Sequence, residues 1–318
     1  MKSKIDPKDL RVVFMGTPAF AVPSLKILID HKVNVVGVIT ATDKLGGRGR
    51  KKIIESDVKK FALSNNLTIL QPPNLKNPDF VKQLAALKAD LQIVVAFRML
   101  PEVVWNMPPL GTYNLHASML PKFRGAAPIN WAIIRGEEST GLTTFKLKHA
   151  IDTGSIAFQK EVPIKPNDSA GDLHDRMMDV GADLVWKTVE NILNGSLTLL
   201  EQDESQVSKA PKIYHVDGEI DTSKGPHELY NLIRGLSPYP TAWTMLGPSK
   251  LKVFRCTYTF EKHNKSQGQL YTNHKNVLRL MVRDGYIDLV DVQIEGRKRM
   301  NIRDLLNGLD VTNIAKDL

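Results

Sequence analysis

The chain carries a single cysteine, Cys256, in 318 residues. One thiol excludes an intrachain disulfide and any cysteine-cluster metal site, and it suits a reducing cytoplasm. Between Arg255 and Thr257 in a strand-like run, it reads as a packed core thiol. Membrane-length apolar runs are missing as well. Residues 10–29 come closest, but Asp6 and Asp9 precede them and Pro18 and Pro23 interrupt them, so they read as a strand and a helix and not as an export signal or a span. Glycine is sparse where a dinucleotide would need it: the turn Gly16-Thr-Pro-Ala after the first strand has one glycine where that fingerprint takes three, which excludes a nicotinamide or flavin site. There is no internal repeat and no extended low-complexity tract.

What is present is enough apolar sequence, 42%, for a substantial core, and a length that suits one large and one smaller unit. The formal charge of +9 permits a polyanionic partner without demanding one. Leu10–Met15 is a continuous apolar run of the kind buried on both faces of a parallel sheet, Ser24–Ile29 has helical spacing, and Val33–Thr40 is a second buried strand. Strand, helix, strand at this spacing predicts a right-handed unit of an α/β fold with a doubly wound, mostly parallel sheet. Helices are expected over 55–65, 79–89, 128–135 and 169–195, and strands over 67–70, 91–96, 111–116, 141–148 and 156–164. Residues 201–212 read as an exposed linker. Beyond them come a helix over 226–236 and a proline-rich turn over 237–243. Strands over 250–259, 268–270, 277–282 and 286–294 then accommodate a five-stranded OB-like barrel, with a short helix over 301–306. The expected domains are 1–195, a linker 196–212, and 213–318. From Ser205 onward there are 17 Lys and Arg against 12 Asp and Glu.

The chemistry concentrates in Asn114-Leu-His-Ala-Ser-Met-Leu-Pro-Lys-Phe-Arg-Gly125. With the period-two spacing of a strand, Tyr113 and Leu115 point to one face while Asn114 and His116 emerge together on the other. An amide donor beside an imidazole at a strand's carboxyl end suits a carbonyl that must become a tetrahedral oxyanion. The same pair also suits a polar strand end with a hydrogen-bonded histidine. In His149-Ala-Ile-Asp-Thr-Gly154, Asp152 is either a turn residue or a carboxylate that orients an imidazole and favours its protonated form. Lys44-Leu-Gly-Gly-Arg-Gly-Arg-Lys-Lys52 is the densest basic and glycine-rich run; it matches no Walker loop, and reads either as a mobile loop gripping phosphates or as an ordinary solvated loop. Gly125 reads as a backbone requirement, while Lys122, Phe123 and Arg124 shape the mouth of a cleft. His149 and His174 are taken as structural or surface groups. In the last third, Lys250, Lys252, Arg255, Arg297, Lys298 and Arg299 are candidates for phosphate contact or for solubility alone.

The run Asn-Leu-His-Ala-Ser-Met-Leu-Pro-x-Phe-Arg-Gly-Ala-Ala-Pro, followed by Ile151-Asp-Thr-Gly154, resembles the signature of folate-dependent formyltransferases, and the likeness extends along essentially the whole chain. Within that family it is most similar to members acting on methionyl-tRNA. The resemblance implies transfer of a formyl group from 10-formyltetrahydrofolate to the amino group of initiator methionyl-tRNA, by a cytoplasmic monomer that needs no metal and no membrane. It implies a catalytic trio of Asn114, His116 and Asp152. Folate contacts would come from Ser118, Met119, Leu120 and Pro121 and from Arg98, Met99 and Leu100. Lys44, Arg48, Arg50, Lys51 and Lys52 would meet the tRNA acceptor end. Two departures stand out: Arg50 occupies the place of a lysine, and Phe97-Arg-Met-Leu-Pro101 is shortened, with Arg98 in place of a small residue. The alternative within the family is a small amine acceptor, such as glycinamide ribonucleotide or an amino sugar nucleotide. The basic loop and the appended basic domain argue against it. A nonenzymatic RNA-binding protein is a more distant alternative, disfavoured by the intact trio.

Overall fold

The computed structural model describes residues 5–46, 49 and 52–318. The chain divides into two compact units. The first takes the chain up to Gly125 together with Gly141–Val162 and His174–Lys209; the second takes Ala126–Thr140, Pro163–Leu173 and Ala210–Leu318.

In the first unit, β1 (Arg11–Gly16), α1 (Val22–Asp30) and β2 (Asn34–Ile39) form the expected parallel unit. Pro23 sits in the first turn of α1, where its missing N–H costs nothing. Lys44–Gly46 (β3) and Lys52–Ile54 (β4) then pair antiparallel, with Leu45 opposite Ile53. The ends of the basic run are therefore a hairpin rather than the irregular loop its glycines suggest, because Leu45, Ile53 and Ile54 supply strand-forming side chains on either side of it. Arg48, Arg50 and Lys51 lie outside the described residues. The hairpin's root is tied down by Lys59, which ion-pairs with both Asp43 and Glu55. Lys59 belongs to α2 (Asp57–Ser64), capped by the Ser56 hydroxyl on the Lys59 N–H.

The sheet continues through β5 (Ile69–Leu70), α3 (Pro78–Ala86), β6 (Leu91–Val95), the short α4 (Glu102–Trp105) and β7 (Thr112–His116). In the second unit, α5 (Pro128–Ile134) follows. β8 (Ser139–Lys146), β9 (Ile156–Pro163) and the long α6 (Ala170–Leu193) complete this part of the chain. Strand order in the sheet is β5-β2-β1-β6-β7-β8-β9, parallel from β5 to β7 and antiparallel at β7–β8. The order reverses at β1 and β6, so the carboxyl ends of β1, β6 and β7 flank a topological switch point, the usual ligand crevice of open α/β sheets. Gly16 closes the first strand so tightly that a Cβ there would sit 2.7 Å from Ala21 Cβ and 3.1 Å from the Val95 carbonyl oxygen. Val13, Met15, Ile39, Phe80, Leu84 and Val94 form the core that fixes these ends.

The second unit contains α7 (Pro226–Leu236) and an antiparallel series β10 (Ala242–Leu246), β11 (Ser249–Phe260), β12 (Leu270–Thr272), β13 (Leu278–Val282) and β14 (Gly285–Ile294). They pair in the order β10-β11-β14-β13-β12 and curl over one apolar core as a half-barrel, without the closure of the barrel the sequence suggests. β15 (Met300–Asn301), α8 (Ile302–Gly308) and β16 (Lys316–Asp317) are small additions at the margin. Two expectations fail here. The turn expected over 237–243 gives way at Ala242, where Ala242–Leu246 pairs with Val253–Ser249 as a full hairpin strand. The strand expected at 268–270 lies at 270–272, because Gly268 adopts a left-handed φ of +81° that a strand does not permit. Among the basic residues of this unit, Lys250 lies over the Trp243 ring and Arg299 pairs with Asp291, while Arg255, Arg297 and Lys298 are exposed. Among the described residues, no helix is long and apolar enough to cross a membrane.

Candidate active site

β7 alternates as its sequence predicts: Tyr113 and Leu115 are buried in the sheet, and Asn114 and His116 share the opposite face at the strand's carboxyl end. Asn114 lies between Val94 of β6 and Phe145 of β8 in register. Among the described residues, no side-chain hydrogen bond engages Asn114, so its amide is available to a ligand.

His116 is 7% exposed and more committed. Its Nε2 lies 2.9 Å from the carbonyl oxygen of Phe123, and since a carbonyl only accepts, Nε2 carries the hydrogen. The other nitrogen, Nδ1, lies 3.8 Å from Asp152 Oδ2. That separation is an ion-pair distance for a charged ring and too long for a hydrogen bond. Asp152 therefore stands beside His116, and Asn114 shares the strand face of His116 two residues before it. The carboxylate stands beside the imidazole as a charge neighbour, and the ring's hydrogen bond goes to the protein backbone.

Two tight turns hold this geometry. Phe123 and Gly125 have φ of +59° and +130°, so the Lys-Phe-Arg-Gly turn folds the Phe123 carbonyl back onto His116. Gly125 supplies its N–H to Asp152 Oδ2 at 2.9 Å, a direct link from the motif to the carboxylate. Asp152 itself is left-handed at φ +55°, a conformation costing about 1 kcal/mol in an L-residue and least in Asp and Asn. Two residues later, a Cβ on Gly154 would meet the Lys146 carbonyl oxygen at 1.7 Å, so only glycine lets the turn pack against β8.

Residues 201–209, part of the stretch expected to be an exposed linker, instead run along these turns with Leu200. Leu200 exchanges backbone hydrogen bonds of 2.7 and 2.9 Å with Ile156. Gln202, 9% exposed, donates from Nε2 to the carbonyls of Asp152 and Gly154, both at 2.8 Å, and its Oε1 accepts from Arg124 Nε and Nη2 at 3.1 and 2.7 Å. Arg124 also grips Glu204 with two hydrogen bonds, which hold the Glu204 carboxyl below the ordinary carboxylate range. Ser208 accepts from the Phe123 N–H through Oγ and from the Arg124 N–H through its carbonyl, each at 2.9 Å. Sequence reasoning misses Gln202 because Glu201, Asp203, Glu204 and Ser205 around it look like solvated sequence, and they are exposed. A single inward side chain in a charged run leaves no periodic signal.

The two stretches expected to hold folate differ in character. Ser118–Pro121 is internally satisfied: Ser118 Oγ donates to the Lys122 carbonyl, the Ser118 carbonyl accepts from Thr143 Oγ1, and the Leu120 carbonyl accepts from Gln159. Leu120 and Pro121 are buried in the protein's own packing, so of these residues only Met119, which is partly exposed, offers a ligand apolar surface. Residues 97–100 show the reverse. Among the described residues, no backbone–backbone hydrogen bond involves them, and Met99 is 76% exposed. Unpaired main-chain donors and acceptors at the end of β6 fit the hydrogen-bonding edge of a pterin. Arg98 points its guanidinium elsewhere, donating to the Pro73 carbonyl at 2.8 Å and to the Pro72 carbonyl, and so pins this shortened stretch to the Gln71-Pro-Pro turn. Of the cations expected to meet tRNA, Lys44 and Lys52 are exposed on β3 and β4.

Known proteins resemble the chain along nearly its whole length. Residues 10–189 match the formyl transferase family and residues 212–310 match the formyl transferase C-terminal domain. A methionyl-tRNA formyltransferase of Flavobacterium johnsoniae is 48% identical over 314 residues, covering 97% of this chain and 99% of that protein. One from Parabacteroides distasonis is 49% identical, covering 95% and 96%. The crystal structure of a sugar 3N-formyltransferase, solved with dTDP and 5-N-formyl-THF, superposes with a TM-score of 0.66 at 21% identity, covering 91% of this chain and 99% of that one. With both domains matched and near half its residues identical to full-length relatives, the chain belongs to the formyl transferase family.

Proposed function

We propose that this protein transfers the formyl group of 10-formyltetrahydrofolate to the amino group of initiator methionyl-tRNA, acting as a monomer in the cytoplasm. The observation that carries this reading is Asp152 beside His116 at the carboxyl end of β7, with His116 Nδ1 3.8 Å from Asp152 Oδ2 and Asn114 on the same strand face. Near-half identity to methionyl-tRNA formyltransferases over almost the full length selects the acceptor.

10-Formyltetrahydrofolate supplies an electrophilic formyl carbon, and the backbone groups of residues 97–100 with the partly exposed Met119 side chain would hold its ring system, while the buried Leu120 and Pro121 would support that surface from behind. The neutral α-amino group, with a reference pKa of about 7.7–8.0, is partly nucleophilic at neutral pH. Asn114, with its amide uncommitted, donates an N–H to the carbonyl oxygen as negative charge gathers there. His116 contributes as a ring whose Nδ1 faces the Asp152 carboxylate, 3.8 Å away. Its Nε2 reaches the same oxygen only by exchanging the Phe123 carbonyl for substrate, an adjustment consistent with catalytic contacts that tighten on binding. Lys44 and Lys52, with the cations between them, engage phosphates of the acceptor end.

The test is a formyl-transfer assay with purified protein and 10-formyltetrahydrofolate. Three acceptors are compared: methionyl-tRNA, glycinamide ribonucleotide and an amino sugar nucleotide. Formylation of methionyl-tRNA alone is expected; preference for either small amine overturns the assignment.

A further inference from the structure

Gln202 uses its whole hydrogen-bonding capacity within the site. A primary amide has two N–H donors and an oxygen with two lone pairs. Here both donors go to backbone carbonyls of the carboxylate turn, Asp152 and Gly154, and both lone pairs go to the Arg124 guanidinium. Arg124 directly precedes Gly125, whose N–H holds Asp152 Oδ2, and directly follows Phe123, whose carbonyl holds His116 Nε2. The amide therefore closes a ring of contacts that runs from Arg124 through Gly125 to Asp152 and back through Gln202, and His116 joins it at the Phe123 carbonyl. Its members lie on two tight turns remote in sequence, and the one amide bonds to both.

We propose that Gln202 is a positioning residue for formyl transfer: it fixes the left-handed Asp152–Gly154 turn against the Phe123–Gly125 turn, and so sets the distance between the Asp152 carboxylate and the His116 imidazole. This rests on the functional reading above. The chemistry explains the residue type. A carboxylate at 202 would still accept from Arg124 but would place negative charge against two carbonyl oxygens and donate to neither. A methionine of similar length would fill the space and make none of the four bonds. Buried amides are costly when unpaired, so a fully paired one at this position serves a geometry that the backbone does not hold alone.

A side chain that only held down residues 200–209 would affect stability, with or without the Asp152 charge. A positioning residue acts through that charge. The experiment is a double-mutant cycle between Gln202→Met and Asp152→Asn, with Gln202→Glu as a second variant in case methionine lowers the melting temperature. In the otherwise wild-type protein, both Gln202 variants are expected to lower kcat by about tenfold to a hundredfold while KM for methionyl-tRNA and for 10-formyltetrahydrofolate changes by less than about twofold. In the Asp152→Asn background the further loss is expected to be below about twofold. A second readout is independent of activity. The His116 ring-nitrogen NMR signals should move in Gln202→Met when Asp152 is present and stay in place in the Asp152→Asn protein. Equal losses in both backgrounds, or unchanged kcat in both Gln202 variants, overturn the proposal. If the wild-type protein formylates nothing, the functional reading fails, and the NMR cycle alone still decides whether Gln202 sets the carboxylate–imidazole geometry.

Discussion

His116 Nε2 donates to the carbonyl oxygen of Phe123 at 2.9 Å, so the imidazole is anchored by the backbone of its own motif seven residues downstream. Asn114 has no such anchor. The uncommitted amide and the anchored ring are both expected to matter in the transition state and little in binding. Asn114→Ala or His116→Ala should each reduce turnover about a hundredfold or more, with tRNA affinity nearly unchanged. Single-turnover formylation and filter binding on the same preparations check this, and unchanged turnover in both variants removes the oxyanion site.

Asp152→Asn keeps a residue that tolerates φ of +55° and an oxygen to accept from the Gly125 N–H, but removes the charge 3.8 Å from the imidazole. Thermal stability should hold while kcat drops by at least about tenfold. A matching collapse in melting temperature would show that the carboxylate is structural.

The exposed cations of the hairpin should act through phosphate. Replacing Lys44 and Lys52 by alanine is expected to raise KM for methionyl-tRNA and to leave kcat alone. The slope of log affinity against log salt should flatten by about 1 for each phosphate no longer neutralised. An unaltered salt slope discards the role.

Cys256 lies in the core of the second unit, and burial, with a smaller push from the Asp288 charge, moves its thiol up to about 12. The native state therefore favours the protonated form. The associated stability is complete below the unfolded value of about 8.5 and is lost as pH rises from there toward the folded value. A thiol reagent at pH 8 is expected to label the protein only after denaturation; rapid native labelling would show that the site opens.

Gly154→Ala should be among the most damaging small changes, because the added carbon lands on the Lys146 carbonyl oxygen in the turn that carries Asp152. A loss of at least about 2 kcal/mol is expected from denaturant titration, alongside lost activity.

Elements written in one periodicity are legible in the sequence. The buried runs of β1, β2 and β6 and the alternation of Tyr113, Asn114, Leu115 and His116 are local patterns, and the structure follows them. The nearness of Asp152 to His116 is not local. Nothing in the intervening sequence encodes it, and only the family resemblance places the two together. Gln202 lies beyond both routes, one inward residue in a charged stretch. The β10 strand is hidden by Pro238 and Pro240, whose turn signal masks the Ala242–Leu246 strand that follows.

The space beside Gly16 belongs to Ala21 and the Val95 carbonyl. In sheets of this topology the first strand-to-helix crossing is commonly where a diphosphate settles against bare backbone. Here the methyl group of Ala21 crowds that glycine, so no side chain fits at position 16. On the proposed reading, a ligand in the crevice would instead meet the unpaired main chain of residues 97–100 and the amide of Asn114. A fold that elsewhere cradles nucleotides would then hold a flat heterocycle and the single carbon it carries.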